Sequence, residues 1–320
     1  MMSTRTAYIF PGQASQYSGM GRDLAENFEA ARRVFEEADD ALGFSISNVC
    51  FEGTAEELQL TENTQPAILT VSVAALRALD SGGAAQPSFV AGHSLGEYSA
   101  LVAAGALHFR DAVRIVRARG RYMQEAVPLG TGAMAAILGA DLKTVMEACV
   151  EAQQNDVCTP ANINAPGQIV IAGDTAAVDR AIALLKERGA KRAIKLNVSA
   201  PFHCALMMPA QERLAADLEG IGFEDLMLPL VTNVDASMIE PAVGSGEKAR
   251  DALVRQVSSP VRWQESVELL IQKGVETFVE VGPGKVLSGL LRQIKRDAAR
   301  SLNVEDAPSL SVTRAALAAA

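Results

Sequence analysis

Short apolar runs that stop at turn residues alternate along this chain with longer stretches of helical periodicity. The run Thr6-Ala7-Tyr8-Ile9-Phe10 ends at Pro11-Gly12 and predicts a first strand, followed by a glutamine-bearing loop. Helices are expected over 21–40 and 67–79, the second opened by Gln65-Pro66 in its first turn and closed by Gly82-Gly83. Residues 88–91 predict a second compact strand, which turns sharply through 92–96 into a buried helix over 97–106. A further helix is expected over 111–125. Such alternation argues for a mostly parallel sheet covered by helices on both faces.

The texture changes near Gly130. Strands over 133–138, 168–172 and 193–198, with helices over 141–153 and 175–188 between them, form a series about half the size of a usual domain. They read as an inserted split βαβ, or ferredoxin-like, unit. The larger domain resumes near Ser199, with strands over 228–233 and 276–281 and a helix over 285–296; no function is legible in the tail beyond Asp297. The expected fold class is therefore α/β. A larger α/β-hydrolase-like domain with a mostly parallel sheet occupies 1–129 and 200–320, and a small ferredoxin-like subdomain occupies 130–199.

Composition narrows the function. With 320 residues, 49% of them hydrophobic, the chain suffices for roughly two domains and needs no metal or crosslink to hold its core. Its net charge of −9 has the wrong sign for a nucleic-acid partner. No signal-type or membrane-spanning run is seen, so the expected address is the cytoplasm, with no membrane partner. Cys50, Cys149, Cys158 and Cys204 form no CxxC pair and read as reduced, mostly buried thiols. Neither a zinc-type HExxH nor a GxGxxG after the first strand is present, so no metal or bound cofactor is expected. Gly282-Pro283-Gly284-Lys285 lacks the spacing of a phosphate loop and reads as a strand-to-helix turn.

Gly92-His93-Ser94-Leu95-Gly96 fits G-x-S-x-G between a predicted strand and helix, where a nucleophilic serine would sit beside a helix N-terminus. The competing reading is an ordinary turn serine. His93 is adjacent and should point away, as a structural residue. Of the remaining histidines, His108 follows a helix in a plain loop, whereas His203 lies in Pro201-Phe202-His203-Cys204, where the subdomain rejoins the main body. The residues alone leave His203 open between general base and structural histidine. On the helix over 111–125, Arg110, Arg114, Arg117 and Arg121 form one stripe, read as a solvated face. Arg119 is rotated about 200° from Arg117 onto the apolar side, where it must snorkel out, meet an internal acid, or meet an anionic substrate.

Taken in order, Phe10-Pro11-Gly12-Gln13-Ala14-Ser15-Gln16, Thr64-Gln65-Pro66-Ala67, Gly92-His93-Ser94-Leu95-Gly96-Glu97, Arg119-Gly120-Arg121-Tyr122-Met123, Asn162-Ile163-Asn164-Ala165-Pro166-Gly167-Gln168, Pro201-Phe202-His203, Ser259-Pro260-Val261-Arg262-Trp263 and Glu280-Val281-Gly282-Pro283-Gly284-Lys285 form one set. The chain from about Thr6 to Arg296 thereby resembles the malonyl-CoA:acyl carrier protein transacylases of fatty acid synthesis and the acyltransferase domains of polyketide synthases. The resemblance implies transfer of malonyl from malonyl-CoA to the phosphopantetheine thiol of acyl carrier protein, through a malonyl-serine on Ser94 with His203 as base. It implies an oxyanion hole from the backbone N–H groups of Gln13 and Leu95, and a His203 oriented by the backbone carbonyl of Gln256. It implies a substrate site of Arg119, Met123, Phe202 and Asn162, with Arg119 bidentate to the malonyl carboxylate. Bulk at Leu95 and Phe202 accompanies malonyl over methylmalonyl selection in such enzymes. Ala14 stands where many members have glycine, inside the oxyanion loop. A monomer is expected. The alternatives are a serine hydrolase or thioesterase, a trans-acting polyketide synthase acyltransferase, and an idle docking subunit that keeps the fold alone.

Overall fold

The computed structural model describes residues 5–84, 86–128, 130–295 and 299–319. The opening four residues, the expected boundary at Leu129 and the last residue of the expected helix over 285–296 lie outside the described residues.

The chain opens with β1 (Arg5–Phe10), then α1 (Arg22–Asn27), α2 (Glu29–Leu42), α3 (Ile46–Glu52), α4 (Ala55–Gln59), α5 (Thr61–Ser81), β2 (Phe89–Gly92), α6 (Gly96–Ala103) and α7 (Phe109–Glu125). The helix expected over 21–40 is two helices. Phe28 adopts an extended backbone, φ −130° and ψ 115°, and ends α1 while starting α2; apolar spacing continues through it, so periodicity gave no sign of the break. The helix expected over 67–79 begins six residues earlier, with Pro66 inside it. Proline there removes one backbone bond to Glu62, a loss offset by burial of nearly the whole of α5.

A second group of elements follows: β3 (Gly132–Leu138), α8 (Leu142–Gln153), β4 (Cys158–Ala165), β5 (Gln168–Asp174), α9 (Thr175–Glu187) and β6 (Arg192–Lys195). Its sheet has the order β4-β5-β3-β6 and is antiparallel throughout. The sequence reading missed β4, whose Pro160, Asn162 and Asn164 carry little strand propensity. All strands of this sheet come from residues 132–195. β4 is tied to the rest of the molecule by the N–H of Ile163 to the carbonyl of Val261, 2.9 Å, and that of Val261 to Ala161, 2.8 Å.

The chain then runs through a short 3-10 turn into α10 (Met208–Glu219), β7 (Leu230–Val231), β8 (Met238–Ile239), α11 (Ser245–Gln256), α12 (Trp263–Gln272), β9 (Val275–Val281), α13 (Val286–Ile294), β10 (Arg300–Val304) and α14 (Ala307–Ala318). The strand expected over 228–233 shrinks to two residues, because the chain leaves the sheet at Thr232 and Asn233 to serve the site. The tail beyond Asp297 supplies an edge strand and a covering helix. The large sheet has the order β10-β9-β1-β2-β7-β8, parallel except for β8.

Several of the ordered motifs are structural. Glu280 at the end of β9 is buried, and its two carboxylate oxygens accept the N–H groups of Leu287 and Ser288, capping α13 with an anion. Trp263 is wholly buried beside the His93 ring, and all four cysteines are free and buried. Among the described residues no helix is long and apolar enough to cross a membrane, and no group of three or more His, Cys, Asp or Glu could hold a metal ion.

Helices α5 and α7 cross at Gly120, where a Cβ would lie 2.6 Å from the carbonyl oxygen of Thr61 and 2.9 Å from Cα of Glu62. Backbone cannot yield as a side chain does. Gly120→Ala is expected to push the helices apart and cost about 1–3 kcal/mol, read as a lowered unfolding midpoint. A melting curve unchanged from the parent would show that the crossing is not tight.

Candidate active site

The carboxyl ends of β1, β2 and β7 lie side by side in the large sheet and deliver the loop with Gln13, the turn with Ser94, and Asn233 to one place. This is where open α/β sheets hold ligands. The turn from β2 into α6 is tight: a Cβ on Gly92 would lie 1.9 Å from the Gly96 carbonyl carbon, and one on Gly96 would lie 2.1 Å from the Phe10 carbonyl oxygen. Ser94 is thereby held at φ 51°, a left-handed backbone that a side chain adopts only when its surroundings fix it. Asn233 does the fixing. Its Oδ1 accepts the Ser94 N–H at 2.6 Å and its Nδ2 donates to the Gly92 carbonyl at 2.6 Å.

Ser94 Oγ lies 2.7 Å from His203 Nε2, and His203 Nδ1 lies 3.0 Å from the Gln256 backbone oxygen. A carbonyl oxygen only accepts, so Nδ1 carries the proton, Nε2 is bare, and the Ser94 hydroxyl donates to it. His203 is buried and, like Ser94, has a positive φ, 60°. Of the three histidines, His203 is the one hydrogen-bonded to Ser94 Oγ. His93 instead places Nε2 2.9 Å from Asn164 Oδ1, away from Ser94 as expected. His108 sits at the residue before α7, with no side-chain bond to the helix end. Cys204 points its thiol at the Pro201 carbonyl.

Arg119 is 1% exposed. It does not snorkel, and no salt bridge reaches it among the described residues. Nη1 donates to Gln65 Oε1 at 2.8 Å, and Nη2 donates to Gln256 Oε1 at 2.9 Å and to Ser94 Oγ at 3.1 Å. Its Nε has no partner among the described residues. A cation is thus held in the interior by neutral oxygens, with Tyr98 beneath it, ring centroid 5.7 Å from Cζ. The other arginines of α7 behave as a solvated stripe: Arg110, Arg114 and Arg121 are exposed, and Arg117 lies over the Phe44 ring at 4.0 Å.

The loop after β1 is bent at Ala14, φ 81°, and pinned by the Ala14 N–H donating to Gln16 Oε1 at 2.8 Å. No backbone or side-chain acceptor among the described residues takes the N–H of Gln13 or Leu95. Leu95 and Phe202 are buried, and Met123 Sδ accepts from Gln65 Nε2 at 3.8 Å. Asn162 is half-buried on β4 in a bridge to Val261, and the network draws in Asn164 rather than Asn162.

Three participants escaped the reading of individual residues. Gln65 and Glu97 lie inside quoted motifs yet carry no pattern of their own. Asn233 has no sequence signal at all, since its role depends on β7 lying beside β2.

These relations fit one family, and the comparison with known proteins agrees. The pattern of the acyl transferase domain matches residues 7–314. The chain belongs to the acyl transferase family. The malonyl CoA-acyl carrier protein transacylase of Escherichia coli K12 is 51% identical over 291 residues, covering 91% of this chain and 93% of that protein. The enzyme of the same name from Bacillus subtilis 168 is 51% identical over 296 residues, covering 92% and 91%. The crystal structure of an acyl carrier protein S-malonyltransferase from Vibrio cholerae superposes with a TM-score of 0.93 at 46% identity, covering 97% of this chain and all of that one. A malonyl-transacylase in complex with a type II PKS acyl-carrier protein gives a TM-score of 0.94 at 47% identity, covering 98% and all of that chain.

Burial pushes the His203 imidazole down from 6.5 to about 3, helped by the neighbouring Arg119 charge. Between those values the unfolded chain binds a proton that the folded protein does not, so this group's contribution to stability falls as pH drops through that window. Glu97 works the other way: burial raises it from 4.5 to about 7, and its contribution falls as pH rises between them. Histidine-selective NMR is expected to find His203 neutral at pH 5, and protonating more readily in Arg119→Ala. A midpoint at 6.5 would contradict the burial of the ring.

Proposed function

We propose that this protein transfers a malonyl group from malonyl-CoA to the phosphopantetheine thiol of acyl carrier protein, in fatty acid or polyketide synthesis. The observation that carries the reading is a buried Arg119 guanidinium, in no salt bridge among the described residues, 3.1 Å from the hydroxyl of a serine that is itself hydrogen-bonded to His203. One methylene separates the two carbonyl carbons of a malonyl group. An acyl group on Ser94 Oγ therefore keeps its free carboxylate within reach of Arg119, whereas acetyl leaves that cation unmatched.

His203 Nε2 takes the Ser94 proton as Oγ attacks the thioester carbonyl, and the oxyanion is met by the N–H groups of Gln13 and Leu95, each such donor worth about 3 kcal/mol. The Gln256 carbonyl keeps His203 in the tautomer that can accept this proton. Collapse expels the CoA thiolate, protonated from His203, and leaves malonyl-Ser94. The carrier's thiol then gives its proton to His203, attacks the ester, and departs with the malonyl group as Ser94 recovers its proton. Arg119 holds the malonyl carboxylate through both halves, with Met123, Phe202 and Asn162 around the acyl group. No resident cofactor or metal takes part in this scheme.

The same reading takes residues 1–129 and 200–320 as an α/β-hydrolase-like catalytic domain and 130–199 as an inserted ferredoxin-like subdomain. It is supported by the strand-turn-helix around Ser94 and by the βαββαβ order of the small sheet. A cytoplasmic monomer goes with it. An acidic carrier would dock beside basic residues, either around Lys191, Arg192 and Lys195 or around Lys285 and Arg292; of these, Lys195 and Lys285 are paired with Asp179 and Glu305.

Intact-protein mass spectrometry after brief exposure to malonyl-CoA, acetyl-CoA and methylmalonyl-CoA tests the reading. A malonyl adduct is expected that is absent in Ser94→Ala and passes to phosphopantetheinylated carrier protein. An adduct lost only to water would point to a hydrolase, and no adduct with any donor would leave a docking subunit.

A further inference from the structure

Glu97 lies three residues after the nucleophile, in the first turn of α6, is wholly buried, and has no part in the steps above. One of its oxygens, Oε2, accepts two hydrogen bonds of 2.9 Å, from the backbone N–H of Asn233 and from Nε2 of Gln256. Both donors are hubs. Asn233 ties Ser94 N–H and Gly92 carbonyl together and so sets the turn that presents the nucleophile. Gln256 accepts from His203 Nδ1 with its backbone oxygen, accepts from Arg119 with Oε1, and donates from Nε2 to the Ser94 carbonyl at 3.1 Å. A single carboxylate oxygen is thus one residue removed from the nucleophile, the base and the arginine.

The plain alternative is a core acid that satisfies two donors and nothing more. Against it stands the cost of the choice: Oε1 has no partner among the described residues, and burial raises the carboxyl to about 7 even though the hydrogen bonds from Asn233 and Gln256 and the Arg119 charge draw it down. A residue kept only to fill space would be better apolar. We propose that Glu97 is a positioning residue of acyl transfer, which holds Asn233 and Gln256 in the one arrangement where Ser94, His203 and Arg119 converge.

The kinetic part of this inference rests on the transacylase reading; the state of His203 does not. Two substitutions separate position from charge. Glu97→Gln keeps an oxygen that accepts both donors, and Glu97→Met keeps the volume but accepts neither. Glu97→Met is expected to lower kcat for malonyl transfer by about 100-fold, the scale of an ångström-sized misplacement. It is also expected to erase the downfield Nδ1–H signal of His203 in substrate-free protein. Glu97→Gln is expected to restore the signal and to bring kcat within about tenfold of the parent. Should Glu97→Met not fold, Gln256→Met, which removes the link to Glu97 together with the bonds to Arg119 and the Ser94 carbonyl, is expected to lose the His203 signal as well.

The inference is overturned if folded Glu97→Met, or Gln256→Met in its place, keeps the parent's His203 signal. It is also overturned if Glu97→Gln is as impaired as Glu97→Met, which would assign the effect to charge. A parent protein that forms no malonyl adduct would sink the transacylase reading instead, while the dependence of the His203 signal on Glu97 would still be measurable.

Discussion

A guanidinium with almost no exposure to solvent must be held by the protein, and Arg119 is held by two glutamines and a serine. Buried charges usually meet a counter-charge. Here the acid whose charge acts on Arg119, Glu97, spends its bonding oxygen on Asn233 and Gln256 and is itself pushed toward neutrality. Much of the architecture follows from this. Gly120 lets α7 lie against α5 so that Gln65 reaches Nη1, and the end of α11 brings Gln256 to Nη2. The interior is left electropositive beside Ser94, which favours an acyl group that brings its own carboxylate.

The same charge reaches His203. Burial and the Arg119 charge together keep the imidazole neutral, so Nε2 is bare toward the Ser94 hydroxyl. In the proposed reaction the malonyl carboxylate offsets the guanidinium and so relieves the smaller of these two effects as the ring takes the Ser94 proton. Orientation by the Gln256 carbonyl suits this site better than an aspartate would, because it fixes the tautomer without adding an anion that would compete for Arg119. Ser94 and His203 both sit at positive φ, and the hydrogen bonds through Asn233 and Gln256 maintain that strained pair.

How much of this was legible depended on how local each signal was. The strands around β1, β2 and β9 and the Ser94 turn were readable because apolar runs ended at glycine or proline. Arg119 could be set apart from its stripe by helical rotation alone, since one helix carries the whole argument. Phe28 and Pro66 misled because local rules there were overridden by packing. β4 escaped because its asparagines and proline look like loop, although it pairs with β5 and bridges to Val261. His203 could not be decided from the residues, and Asn233 could not be found, because their roles exist only once distant segments are brought together. The ordered motifs supplied that long-range information where periodicity could not.

The account turns on Arg119 acting as the counter-charge for the acyl group. Its most direct test is the rate constant for acylation of Ser94 by malonyl-CoA and by acetyl-CoA, measured in the parent and in Arg119→Ala. The account predicts that the substitution removes most of the preference for malonyl, by slowing malonyl acylation about 100-fold or more while acetyl acylation changes little. An undiminished preference for malonyl in Arg119→Ala would contradict it.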